Sequence, residues 1–260
     1  MVKQEEEFDR YPSHDVLIEA MHDFASPRIV AAMSIVPRDL FIDGRQKNAR
    51  FDDRAIFIPG YRGKSSVSQP KTVAMMTEAL DPQPKDIILE IGTASGWQAA
   101  ILSHLAKEVV SVEYLHKLAH KSKKRLEQLG ISNVHLVVAD GSSLFTVPGI
   151  FDKIMVTASL PPFMHQDLFD LLKEGGRIVA PIGGVKGEPC ECDLVVLSKQ
   201  DDQMIEEQRM PNFSFVPMEG FYGWKNFTRY AIATFGEVFH DKISRPQTST
   251  ETQPTTEQEE

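Results

Sequence analysis

Two glycine-bearing loops and the ends of three apolar runs hold the residues that could do chemistry in this chain. The first loop is Gly60-Tyr61-Arg62-Gly63-Lys64-Ser65-Ser66-Val67-Ser68-Gln69-Pro70, whose Gly63-Lys64-Ser65 matches the ending of a phosphate-gripping P-loop. A P-loop needs an earlier glycine five residues before its closing Gly-Lys, with a helix beginning at the lysine. Here that earlier position is Ile58, and no helix can open before Pro70, seven residues after Gly63. The phosphate reading fails on spacing.

The second loop is Leu89-Glu90-Ile91-Gly92-Thr93-Ala94-Ser95-Gly96-Trp97, and it follows a short apolar run. Gly92 and Gly96 allow a sharp turn and close approach of the backbone to a ligand. A dinucleotide fingerprint would place glycines at 92, 94 and 97, where this chain has Gly92, Ala94 and Trp97. The carboxylate of Glu90 would repel a diphosphate but suits a cationic ligand. Two more acids close apolar runs: Glu113, able to accept from a ribose diol, and Asp140 before Gly141, placed for an adenine edge. A lone strand-end acid is usually a cap or a solvated turn, but three beside a glycine loop fit S-adenosylmethionine. The expected cofactor residues are therefore Glu90, Gly92, Thr93, Ala94, Ser95, Gly96, Trp97, Glu113, Asp140 and Gly141, with Ala94 tolerable only at negative φ and no metal ligands.

Alternating elements must position these groups. DIILEIG, EVVSVEY, NVHLVVADG, FDKIMVTASL and RIVAPIG read as strands, and WQAAILSHLA, HKLAHKSKKRLEQLG and HQDLFDLLKEGG read as helices between them. DLVVLSK and MIEEQRM flank QDDQ as an antiparallel hairpin. This order predicts an α/β fold, a doubly wound and mostly parallel seven-stranded sheet covered on both faces. Ligands then sit beyond the carboxyl ends of the strands at the switch point. Upstream, residues 14–42 have a helical pattern, 43–69 are irregular, and Pro70 opens the helix PKTVAMMTEAL. The expected organisation is a helical and substrate-loop region over 1–80, a core over 81–220, an extension over 221–245 and a disordered acidic tail over 246–260.

LEIGTASGWQAA, SVE, ADG, FDKIMVTAS and LLKEGGRIVAPIG, with VPRDLFI, Asp53-Arg54-Ala55 and Ser68-Gln69-Pro70 upstream, resemble the motifs of protein-L-isoaspartate O-methyltransferases. The likeness spans roughly residues 14–220. It implies methyl transfer from S-adenosylmethionine to the free α-carboxylate of isoaspartyl residues, after which the ester cyclises to a succinimide that can reopen to aspartate. It also implies that Ser68 lies beside the transferred methyl group and that Ser66, Val67, Ser68 and Gln69 face the acceptor. Without the resemblance, Ser68 also reads as a cap for the helix at Pro70.

This chain departs from the family pattern in the first loop, which is two residues longer and has Lys64 or Ser65 in place of glutamine. The altered loop supports one alternative, a relative that methylates another carboxylate, and the C-terminal extension supports a second, a non-catalytic adaptor that binds S-adenosylmethionine and recruits a partner through residues 221–260. The net charge of −9 argues against an extended nucleic-acid face, and the basic residues Lys117, Lys121, Lys123, Lys124 and Arg125 read as a solvated helix face. No apolar run approaches the roughly 20 residues a membrane span requires. Cys190 and Cys192 are the only cysteines and read as reduced thiols, so a cytoplasmic setting is expected. The resemblance implies isoaspartyl peptides and proteins as partners, and a monomer is expected.

Overall fold

A computed structural model describes residues 9–61, 64–144, 147–161, 166–183 and 190–224. The readings placed on Arg62 and on most of the extension and the whole tail, residues 225–260, lie outside the described residues.

The N-terminal region holds α1 (His14–Ala20), α2 (Pro27–Ile35) and a two-stranded ribbon of β1 (Ile56–Phe57) with β2 (Ser66–Val67). Helix α3 (Pro70–Leu80) opens with proline at its first position, where the missing N–H costs nothing. Its cap comes from a distance: Asp53 Oδ1 accepts from Lys71 N at 2.9 Å, and Asp53 Oδ2 accepts from Gln69 Nε2 at 3.0 Å. Ser68 is not the cap.

The core alternates β3 (Ile87–Ile91), α4 (Trp97–Ser103), β4 (Glu108–Glu113), α5 (His116–Gln128), β5 (Val134–Val138), β6 (Phe151–Val156), α6 (Gln166–Phe169), β7 (Leu172–Ile182), β8 (Cys190–Gln200) and β9 (Gln203–Phe215). The sheet order is β5-β4-β3-β6-β7-β8-β9, with five parallel strands and two antiparallel pairings at the β9 end. The order reverses beside β3, so the loop after β3 stands at the switch point. The expected sheet is borne out.

The pleat divides β3 cleanly between two cores. Ile88 packs on α3 and α4 with Met76, Leu80 and Leu102, whereas Leu89 and Ile91 pack on the opposite face with Ile154, Ile178 and Met218. The hairpin turns through Asp201 and Asp202, both left-handed at φ 51° and 58°, the geometry of a two-residue turn that matches strand twist.

One element is shorter than the sequence pattern predicts. The apolar run HQDLFDLLKEGG suggests a full helix, but α6 ends at Phe169 and Leu172 already lies on β7. The carbonyls of Asp170 and Leu171 accept from Gly149, Ile150 and Phe151, so sheet pairing takes the backbone that a longer helix would use.

Candidate active site

The glycine loop is shaped by a close approach. Gly92 sits at φ 104°, and a Cβ there would collide with Thr157 Oγ1. Thr157 instead donates to Gly92 O at 2.6 Å and ties the loop to the end of β6. Glu113, at the end of β4, is 6% exposed and faces the same cleft. Its Oε2 accepts from Ala94 N at 2.8 Å and its Oε1 from Leu115 N at 2.9 Å. Each oxygen keeps a second lone pair, and the carboxylate is fixed in place. Burial pushes the Glu113 carboxyl upward, and the N–H groups of Leu115, Ala94 and Tyr114 pull it back toward the charged form.

Ala94 corrects an expectation. It lies at φ 48°, in the left-handed region, although it carries a side chain. Two contacts impose this conformation: Glu113 holds its N–H, and Ser122 Oγ donates to its carbonyl at 2.5 Å. Arg125 Nη1 adds a bond to Ser95 O at 2.9 Å. Part of the basic face of α5 therefore supports the loop from behind.

Glu90 stands one layer back from the cleft. It is fully buried on the strand face opposite Leu89 and Ile91, and it accepts from Ser111 Oγ, which pairs at 2.6 Å with Thr93 Oγ1. Its Oε1 has no partner among the described residues. Burial drives its pKa up to about 8, opposed by the Ser111 hydrogen bond and aided by the charge of Glu113. Thr93, rather than Glu90, lines the cleft.

Asp140 also points elsewhere. Its Oδ1 accepts from Ser142 N at 2.9 Å and Ser142 Oγ at 2.6 Å, and its Oδ2 accepts from Phe221 N at 2.7 Å. It fastens the turn at Gly220, where a Cβ would collide with its carboxylate, while Gly141 lines the cleft. Trp97 is 2% exposed, and its Nε1 donates to Val36 O at 3.0 Å. It touches the cleft while packing α4 on the N-terminal region. Gly96, at φ 89°, shapes the turn into α4 behind the lining residues.

The opposite wall comes from the first loop. Ser65, Ser66 and Ser68 line the cleft, but Val67 is buried in the core and Gln69 is held by Asp53. The Ser68 hydroxyl makes no hydrogen bond among the described residues. Its carbonyl accepts from Arg38 Nη2 at 3.0 Å. Arg38, 1% exposed, also donates to the carbonyls of Asp52 at 2.9 Å and Arg54 at 2.6 Å, and burial lowers its pKa to about 9. The sequence contained Arg38 in VPRDLFI without marking its task.

Thr157, Ser111 and the roof Val216–Glu219 went unmarked in the sequence too. The roof is built where Ser159 N donates to Val216 O at 2.9 Å and Met218 N to Ser159 O at 3.0 Å. A charged clasp, Lys64 Nζ to Glu219 Oε1 at 2.9 Å, joins the roof to the first loop. The cleft thus brings together Gly92, Thr93, Ala94, Ser95, Trp97, Glu113 and Gly141 on one side and Ser66 and Ser68 on the other. A glycine loop without room for a Cβ, beside an oriented carboxylate, fits the ribose and amino-acid parts of S-adenosylmethionine. No group of three potential metal ligands occurs among the described residues.

The family model described as protein-L-isoaspartate(D-aspartate) O-methyltransferase matches residues 13–223. Protein-L-isoaspartate O-methyltransferase 2 of Nitrosococcus oceani is 42% identical over 74% of this chain and 84% of its own length. The protein-L-isoaspartate O-methyltransferase of Methanoculleus marisnigri is 40% identical over 76% of this chain and 86% of its own. A solved protein-L-isoaspartate O-methyltransferase superposes with a TM-score of 0.72 at 26% identity, covering 81% of this chain and 67% of that one. The family match takes in the glycine loop, both walls of the cleft and the roof, and the chain belongs to the protein-L-isoaspartate(D-aspartate) O-methyltransferase family.

Proposed function

We propose that this protein methylates the free α-carboxylate of L-isoaspartyl residues in damaged polypeptides, with S-adenosylmethionine as donor. The observation that carries this is the Ser68 hydroxyl, relieved of capping by Asp53 and placed in one cleft with the loop that Glu113 organises.

When bound, S-adenosylmethionine supplies a methyl group already activated on a sulfonium. Glu113 would hold its ribose, and the backbone from Gly92 to Ser95, with Thr93 and Gly141, would line its remaining length. A carboxylate acceptor is ionised at neutral pH, so no general base is needed. The protein's work is alignment and exclusion of water. Ser68 orients the attacking oxygen with a single hydroxyl, which positions the carboxylate without the tight bidentate grip of an arginine. Ser66 contributes to the acceptor side of the same wall. The two cysteines, read as reduced thiols, support a cytoplasmic setting, and the net charge of −9 favours polypeptide over nucleic-acid substrates.

The test uses labelled S-adenosylmethionine with matched isoaspartyl and aspartyl peptides. Base-labile methyl ester on the isoaspartyl peptide alone is the expected result. Label on neither peptide, with cofactor binding intact, overturns the assignment.

A further inference from the structure

The first loop departs from the family pattern at Lys64 or Ser65, where glutamine is usual, and both residues line the cleft. Among the described residues that line it, Lys64 carries the sole positive charge, against the carboxylates of Glu113 and Glu219. These two carboxylates repel an approaching anionic acceptor, and Lys64 attracts it. Lys64 is paired with Glu219 at 2.9 Å, with the side chains 42% and 20% exposed. A pair that meets water is weak and exchanges partners readily. The carbonyl of Tyr61 accepts from both Lys64 N and Ser65 N, at 2.9 and 3.0 Å, so a turn holds the two residues at the rim.

Ser65 adds an independent observation. It is 3% exposed, and its N–H and carbonyl are engaged with Tyr61 O and Ile58 N. Its hydroxyl alone has no hydrogen-bond partner among the described residues. A buried hydroxyl left unpaired is unfavourable, and in a cleft it marks a group completed by a ligand.

We propose that Lys64 and Ser65 recognise the acceptor carboxylate and that Glu219 occupies Lys64 until the acceptor arrives. This deepens the isoaspartyl assignment and rests on it. Lysine suits the task because its ammonium is a mobile point charge that attracts a carboxylate without locking it in a fork. Methylation neutralises the acceptor, so the ester loses its hold on Lys64, and the lysine returns to Glu219 as product leaves.

Removing either partner of a purely structural clasp does the same damage, whereas removing a ligand and removing its competitor act in opposite directions. Binding of a fluorescent isoaspartyl peptide is measured in the presence of S-adenosylhomocysteine, and steady-state kinetics are run beside it. Lys64→Met weakens peptide binding and raises KM by about tenfold, the loss of one charge-assisted hydrogen bond, with kcat little changed. Lys64→Arg restores most of it. Glu219→Gln lowers KM and tightens peptide binding. Ser65→Ala weakens peptide binding while leaving the melting temperature unchanged or raised. Shifts in the same direction for Lys64→Met and Glu219→Gln, or no shift in either, overturn the proposal. Failure of the unmodified protein to bind or methylate the isoaspartyl peptide instead overturns the functional assignment beneath it.

Discussion

The two walls of the cleft are built on opposite terms. On the cofactor side the polar groups around the loop satisfy one another, with Glu90 Oε1 behind them the exception: Glu113 takes Ala94 and Leu115, Ser122 takes Ala94, and Thr157 takes Gly92. On the acceptor side the hydroxyls of Ser65 and Ser68 have no hydrogen-bond partner among the described residues, and a partly exposed ion pair spans the rim. The cofactor wall is thus assembled by folding, and the acceptor wall is finished by its substrate. Substitutions on the first should damage stability and cofactor affinity together, and substitutions on the second should damage turnover or acceptor binding alone.

Glu113→Ala is the harshest test of that contrast. It strips two half-buried N–H groups of their acceptor, so stability should fall by about 2–4 kcal/mol. Affinity for S-adenosylhomocysteine should fall by about 100-fold or more, as two hydrogen bonds to a charged group are lost. Calorimetry and thermal melts read both, and unchanged affinity would refute the ribose assignment. Ser68→Ala should lower kcat by about 10- to 100-fold, the range for a single hydrogen bond to a charged group, with cofactor affinity and melting temperature held. Equal loss of turnover and cofactor affinity would make Ser68 a structural residue.

Glu90 sharpens the comparison through pH. Its folded-state pKa of about 8 lies above the ordinary 4.5, so between those values the folded chain keeps a proton that the unfolded chain releases. Stability from this group is full below the lower value, declines as pH rises and levels off above the higher one. Melting curves from pH 5 to 8 should show a decline that Glu90→Gln flattens, and parallel curves would contradict it. The smallest effect belongs to Ala94→Gly. It relieves the left-handed strain of one alanine, worth about 1–2 kcal/mol, but gives the unfolded chain more freedom, so the net gain should stay below about 1 kcal/mol. A large loss would show that the Ala94 methyl itself packs in the loop.

What the sequence revealed follows from the range of the interactions. The glycine loop, Glu113 at the strand end and the alternation of strands with helices are local patterns, and they reappear in place. Ala94 does not, because its conformation is imposed by Glu113 and Ser122, 19 and 28 residues away. Glu90 sits behind Thr93 because of its position in the pleat and its bond to Ser111, 21 residues on. The cap of α3 could not be read from its flanks, since Asp53 reaches it from 18 residues upstream. Helix α6 is cut short by pairing with β6, which an apolar run alone does not disclose.

Arg38 grips the acceptor wall through the carbonyls of Asp52, Arg54 and Ser68. A carbonyl is the same group in every residue, so this grip is blind to side-chain identity. Lys64, Ser65 and Ser66 can be exchanged for other residues while Ser68 keeps its position. Substrate range can then drift across related chains without the reacting geometry having to be rebuilt each time.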